Sequence, residues 1–157
     1  MPIPLDENNH QIVDPTWALT AEKAITFAGG TTNAIGDHDG TQDPFTIFTV
    51  TGTVKVRIFA VVETTLVGAA TLEVGMVGAT AALLAQLADA TVLAAGEIWH
   101  DGTPDAFVEL ATVAPEKIVA NSKNIIGTVG TANITAGKLR FICAWYPLSA
   151  DGKVVAA

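Results

Sequence analysis

Charged side chains and cysteine are both scarce in this chain of 157 residues. Asp, Glu, Lys and Arg make up 15% of the sequence, whereas a typical globular domain carries about 25%. The single cysteine, Cys143, excludes an intrachain disulfide framework and a zinc site built from cysteines alone. Half of the residues are hydrophobic, which excludes disorder for the chain as a whole, because disordered chains combine low hydrophobicity with high charge.

Basic residues are the scarcer charged class, with 8 Lys and Arg against 16 Asp and Glu and a net charge of -8. A protein that follows a phosphate backbone needs the opposite balance, so we expect no nucleic-acid partner. The longest uncharged apolar stretch, residues 74–88, is shorter than the ~20 residues that cross a bilayer. The first residues also lack the basic and apolar regions of a signal peptide, and we expect no membrane association.

Motifs for catalysis and cofactor binding are missing as well. The sequence contains no P-loop, no G-x-G-x-x-G, no G-x-S-x-G and no H-E-x-x-H. Cys143 lies in the apolar run Phe141–Trp145, where a buried structural thiol is the usual interpretation. We therefore expect no enzymatic activity and no cofactor.

Residues 1–20 are predicted to form an extended N-terminal arm. Pro2, Pro4 and Pro15 fix the backbone and disfavour helix in the residues before them. Three interpretations remain open: the arm wraps its own domain, it clasps a neighbouring subunit, or it is disordered. The apolar residues that would make either contact are Ile3, Leu5, Ile12, Val13 and Trp17.

Residues 21–157 are predicted to form one all-β domain, a β-sandwich or jelly-roll-like barrel, because short strand signals recur every 8–12 residues. Two β-rich runs, 45–50 and 53–63, flank Thr51-Gly52 and suggest a hairpin. Alternation predicts that one set of side chains in the second run faces inward. That set is Val54, Val56, Ile58, Ala60 and Val62, and the opposite face holds Lys55, Arg57 and Glu63 together with Phe59 and Val61.

Further strands are expected at 24–27, 70–77, 91–93, 98–99, 107–110, 118–120, 125–129 and 138–146. Helical spacing occurs only over residues 80–88, where Leu83, Leu84 and Leu87 follow a possible cap at Thr80. We therefore predict one short helix there.

The acidic segment 37–43 is the sharpest polar cluster. Asp37, Asp39 and Asp43 alternate along the chain, which is an arrangement that can direct oxygens to a hard cation such as Ca²⁺. The segment lacks the glycine and glutamate positions of an EF-hand, and Asp and Gly are ordinary loop residues. We predict a plain loop and no metal site, with these three aspartates as weak candidates.

Aromatic residues raise a second possibility, a sugar-stacking platform made by Trp99, Trp145 and Tyr146. Trp145 shares a predicted strand face with Phe141 and Cys143, which favours core or a subunit interface instead. A metal or acid–base role for the neighbouring His100, in Trp99–Asp105, needs spatial partners that a sequence does not show.

Four segments carry a resemblance to a known class of proteins: TVGTANITAGKLRF (128–141), WYPLSADG (145–152), EIWHDGTPDA (97–106) and TVTGTVKVRIF (49–59). Together they resemble small β-rich virion proteins of tailed bacteriophages, most of all capsid decoration (cement) proteins. The resemblance implies a homotrimer, made in the host cytoplasm, that binds the major capsid protein on the outer capsid surface. It carries over no catalytic residue, and it implies that the arm contacts the capsid or a neighbouring subunit.

Two alternative functions stay open at this point. Within the virion, the chain is also compatible with a tail or neck component. Outside it, a carbohydrate-binding or adhesin-type β-sandwich module would use the 37–43 segment and exposed tryptophans as its site.

Overall fold

The computed structural model describes residues 19–100 and 116–157, together with the backbone of residues 105 and 106. Eleven strands are present in this part of the chain. They are β1 (Leu19–Thr26), β2 (Phe45–Thr51), β3 (Val54–Val67), β4 (Thr71–Met76), β5 (Ala79–Leu87), β6 (Glu97–Trp99), β7 (Asp105–Ala106), β8 (Lys117–Val119), β9 (Ile125–Gly130), β10 (Ala136–Pro147) and β11 (Lys153–Ala156).

The strands form two antiparallel sheets. One has the order β1-β10-β3-β6-β7, with β8 also paired to β3, and the other has the order β11-β2-β9-β4-β5. Neither sheet closes on itself within the described ranges, so the domain is an all-β sandwich rather than a barrel. The predicted all-β sandwich is therefore confirmed.

The core lies between the sheets, and strict alternation along β3 supplies much of it. Val54, Val56, Ile58, Ala60 and Val62 are each at most 2% exposed, which confirms the predicted inward face. Trp99 and Phe141, which flank Ala60 in the same sheet, pack edge to face within this core with ring centroids 6.3 Å apart. Burying such side chains contributes about 1.5–3 kcal/mol each, and in the part of the chain described here no disulfide adds to it.

The predicted hairpin over residues 49–59 is wrong. Strand β2 pairs with β9 and β11, whereas β3 pairs with β10, β6 and β8 in the opposite sheet. Gly52, at φ +63°, turns the chain from one layer to the other. The Ser149 hydroxyl accepts a hydrogen bond from the Thr53 N–H and fixes this corner. Turn residues mark where a strand ends, but they do not determine which strand becomes its partner.

The predicted helix over residues 80–88 is also wrong, because this segment is strand β5, paired with β4. Gly78, at φ +89°, makes the turn between the two strands. The register between β4 and β5 is irregular, and Leu83 and Leu84 both face the core. Leu87, which lies opposite Leu72, is buried as well. That spacing imitates one face of a helix.

Two smaller differences concern the segments beside these strands. The predicted strand at 91–93 is instead a 3₁₀ turn, Ala90–Val92, in which the Asp89 carboxylate accepts a hydrogen bond from the Thr91 N–H. Strand β1 begins at Leu19, ahead of the expected start near Lys23. The arm contacts Ile3, Leu5, Ile12, Val13 and Trp17, and the strand expected at 107–110, lie outside the described residues.

Candidate interaction surface

The outward face of the five-stranded sheet is polar. Its side chains include five threonines, which lie opposite residues of other types: Thr46, Thr49, Thr51, Thr71 and Thr128. Glu73 lies opposite Thr128 and accepts a hydrogen bond from the Gln86 amide at 2.7 Å. This is the usual outer face of an antiparallel sheet exposed to water.

The outward face of the six-stranded sheet is different, because its centre is apolar. Phe59 lies opposite Ile142, Val61 lies opposite Ile98, and Arg57 lies opposite Ala144. All of these side chains are partly accessible to solvent, although none belongs to the core between the sheets. We call Phe59, Val61, Ile98, Ile142 and Ala144 the apolar face. A sheet face of this composition is typical of one that another layer covers.

Four basic side chains lie on or beside the apolar face, in a protein whose net charge is -8, and the acidic Glu22 lies opposite Ile142 at its β1 edge. Lys138 and Arg140 both pair with Glu63, and the Lys138–Glu63 distance is 2.7 Å. The hydrogen bond from Lys138 lowers the pKa of the Glu63 carboxyl most, and the one from Arg140 lowers it further. Lys55 pairs with Glu116 at 3.0 Å, while Arg57 has no carboxylate partner within the described residues. Four of the chain's eight basic residues thus lie on or beside this face.

The apolar face opens into a shallow depression between β3 and β10, at the end of the sheet where β3 begins and β10 ends. Lys55, Arg57, Glu116, Trp145 and Tyr146 line it. Tyr146 is 51% exposed, and Ile118, which lies opposite Lys55 on β8, is 64% exposed. The indole N–H of Trp145 is buried and has no hydrogen-bond acceptor in the described part of the chain. Leu19, the first residue of β1, lies opposite Trp145 at this same end.

The structure does not bring the three candidate aspartates of the 37–43 segment together. Asp37 accepts a hydrogen bond from the N–H of Asn33 at 2.8 Å, and Asp39 points into solvent beside His38. Asp43 instead accepts one from the N–H of Val129 on β9 at 2.8 Å. Over the residues that the structure describes, no three His, Cys, Asp or Glu side chains form a group that could hold a metal ion.

Contacts of His38 and Asp43 fix the loop to the end of the sandwich. Asn133 accepts hydrogen bonds from the N–H and ring Nδ1 of His38, and donates its own amide to the Gly29 carbonyl. Burial raises the pKa of the Asp43 carboxyl, and the hydrogen bond from Val129 partly offsets that effect. These contacts engage Asp37 and Asp43 with backbone N–H groups and leave Asp39 in solvent.

Cys143 and the aromatic residues also serve the core. Cys143 is fully buried, and desolvation raises the pKa of its thiol to about 12, so it is not a nucleophile at neutral pH. Trp99 is 0% exposed and His100 is 5% exposed. Trp145 packs against the core, and Tyr146 is therefore the one member of the proposed sugar platform with a largely exposed ring. A stacking platform needs accessible rings, so these three residues do not form one.

No helix within the described ranges has the length and hydrophobicity that a membrane crossing requires. No protein-family model, no curated protein and no solved structure matches the chain. The function must therefore be argued from the residues and the surface described above.

The apolar face is a candidate interaction surface that no sequence motif marks. Its signal in the sequence is the presence of Phe59 and Val61 between Arg57 and Glu63, on the face of β3 opposite the core residues. What the sequence alone does not reveal is that Ile142 and Ile98, from distant segments, extend these two residues into a continuous patch.

Proposed function

We propose that the protein is a non-enzymatic structural component of a tailed-bacteriophage virion, a capsid decoration protein that binds the assembled major-capsid shell as a homotrimer. The observation that carries this proposal is the contrast between the two outward sheet faces. One is a threonine-rich face suited to water, and the other is an apolar face bordered by basic side chains. A surface of this kind binds macromolecules rather than transforming small ones.

The chemistry of the described side chains supports an interaction protein. The thiol of Cys143 is buried, Asp37 and Asp43 accept hydrogen bonds from backbone N–H groups, and Glu63 is paired with two cations. These groups stabilise the sandwich in the arrangement described. The sequence resemblance to decoration proteins supplies the particular partner.

Such a protein acts by mass action. Binding to the assembled shell, but not to its dissociated subunits, stabilises the shell by RT ln(1 + [L]/Kd), which is about 2.7 kcal/mol at a ligand concentration of 100 Kd. The arm residues Ile3, Leu5, Ile12, Val13 and Trp17 supply the proposed capsid or subunit contacts. Hydrophobic anchors in extended segments bind well where the partner provides pockets, since each buried anchor contributes about 1.5–3 kcal/mol.

The experiment that tests this proposal is purification of the virions that contain this chain, followed by mass spectrometry and heating. We expect the protein in intact particles at a fixed ratio to the major capsid protein. Particles assembled without it should release their DNA at a lower temperature, and adding the purified protein should raise that temperature to its original value. Absence from particles, or presence only in tails, overturns the proposal.

A further inference from the structure

The apolar face must be covered by something, because a contiguous apolar patch in water promotes association. We infer that residues 1–18 of the same chain cover it in the free protein, so that the arm docks on its own domain. This inference concerns the protein before it meets any partner and does not depend on the proposed function.

The position at which the arm joins the domain is the first argument. Strand β1 begins at Leu19, directly opposite Trp145, at the end of the six-stranded sheet where the depression opens. Asp14-Pro15 precedes this point by a few residues, and Asp followed by Pro is a favoured start of a type I turn. A reversal there directs residues 1–13 back toward the face that Phe59 and Ile142 occupy.

Length and linkage agree with this placement. Thirteen extended residues span at most about 45 Å, whereas the stretch of β3 from Lys55 to Glu63 covers about 27 Å. A tether of a few residues also gives the arm an effective concentration in the millimolar range at its own domain. An arm from another molecule must compete with that concentration.

Charge is a second, independent argument. Residues 1–18 include Asp6, Glu7 and Asp14 but no Lys or Arg. The border of the apolar face carries Lys55, Arg57, Lys138 and Arg140 and also the acidic Glu22 opposite Ile142; of the four cations, Arg57 is the one that has no carboxylate partner in the described part of the chain. An acidic residue of the arm, interspersed with Leu5, Ile12 and Val13, therefore complements Arg57 at the edge of an apolar surface.

Chemical cross-linking in the full-length protein tests the inference. The double variant Val13→Cys/Ala144→Cys places one thiol in the arm and one on the apolar face. The natural Cys143 remains unreactive because it is buried. Treatment with a short bismaleimide should produce a cross-link within one chain, identified by mass spectrometry at the monomer mass. The matched control Val13→Cys/Thr49→Cys, with the second thiol on the threonine face, should give at least tenfold less.

Charge variants of the same protein supply a second measurement. We expect Arg57→Glu to reduce the yield of the 13–144 cross-link several-fold, and Lys153→Glu, at the edge of the other sheet, to leave it unchanged. Equal yields in these two variants overturn the inference, as does equal cross-linking to Thr49→Cys.

Two other occupants of the face would be recognised in the same experiment. A cross-linked product at twice the chain mass would show that the arm comes from a neighbouring molecule. A stronger cross-link from Val108→Cys than from Val13→Cys to Ala144→Cys would show that the segment before β8 covers the face. Either result overturns docking of the arm on its own domain.

Discussion

Phe59 of β3 and Ile142 of β10 lie directly opposite each other on the face of the six-stranded sheet that points away from the core. Their neighbours in sequence, Ile58 and Cys143, are also opposite each other, on the inward face. Both faces of the same two strands are therefore apolar at this level. Apolar residues on both faces distinguish the six-stranded sheet from the five-stranded one, whose outward face is rich in threonine.

Adjacent substitutions on β3 should have opposite outcomes. Ile58→Asp places an unpaired charge in the core and should lower the free energy of unfolding by on the order of 4–5 kcal/mol, enough to prevent folding of a marginal domain. Phe59→Asp, one residue later on the outward face, should cost about 1 kcal/mol or less and leave the strand signal in circular dichroism intact. If both variants melt like the parent, or if both fail to fold, the assignment of the two faces is wrong.

Cys143 should resist alkylation in the native protein. Its thiol has a pKa raised to about 12 by burial, so the thiolate that reacts is nearly absent at pH 8. We expect iodoacetamide to leave the native chain unmodified over hours and to label it completely in guanidinium chloride. Rapid labelling without denaturant would contradict the placement of Cys143 in the core.

The burial of Asp43 should be visible in how the free energy of unfolding depends on pH. Its pKa is raised, so the folded protein retains the proton to a higher pH than the unfolded chain does. The free energy of unfolding should therefore fall as the pH rises through the window between 3.8, the ordinary value, and the raised value. Asp43→Asn removes this titration and keeps an oxygen for the Val129 N–H, so denaturant unfolding at pH 7 should give equal or higher stability.

The control for that experiment is Asp43→Ala. This variant leaves the N–H of Val129, in a buried strand, without its acceptor, and should lose about 1–3 kcal/mol at every pH. An Asn variant that is as unstable as the Ala variant would mean that the charge itself, rather than the hydrogen bond, holds the loop to β9.

Oligomerisation follows from the scarcity of charge and from the exposed apolar side chains. Ile118 and Tyr146 are exposed at the end of the six-stranded sheet where β3 begins, and charged residues make up only 15% of the sequence. We expect light scattering at micromolar concentration to give three times the chain mass of 16.2 kDa. If light scattering gives the mass of one chain over the whole concentration range, the predicted trimer is wrong.

The sequence predicts the class of fold well because alternation is a local property. Val54 to Val62 alternate, and the structure places the predicted residues inward. Partners in a sheet are not a local property, so the Thr51-Gly52 turn was compatible with a hairpin although it joins two layers. Residues 80–88 mislead for a related reason, because irregular register brings Leu83 and Leu84 to the same side of a strand.

The candidate surface could be only partly predicted. The sequence shows that Phe59 and Val61 face away from the core residues of β3, but their partners Ile142 and Ile98 lie far along the chain. The aspartates of the 37–43 segment illustrate the opposite case. Their alternation suggests a cation site, whereas the backbone N–H groups of Asn33 and Val129, which are invisible in a pattern of side chains, engage two of them.

The most direct test of the account is sedimentation of the purified full-length protein with assembled capsid shells of the phage that contains it. The account predicts saturable binding, with a fixed number of copies per shell and no binding to the dissociated major capsid protein. Deleting residues 2–18 should abolish this binding while leaving the β-sheet circular-dichroism signal. A full-length protein that remains in the supernatant with intact shells would contradict the account.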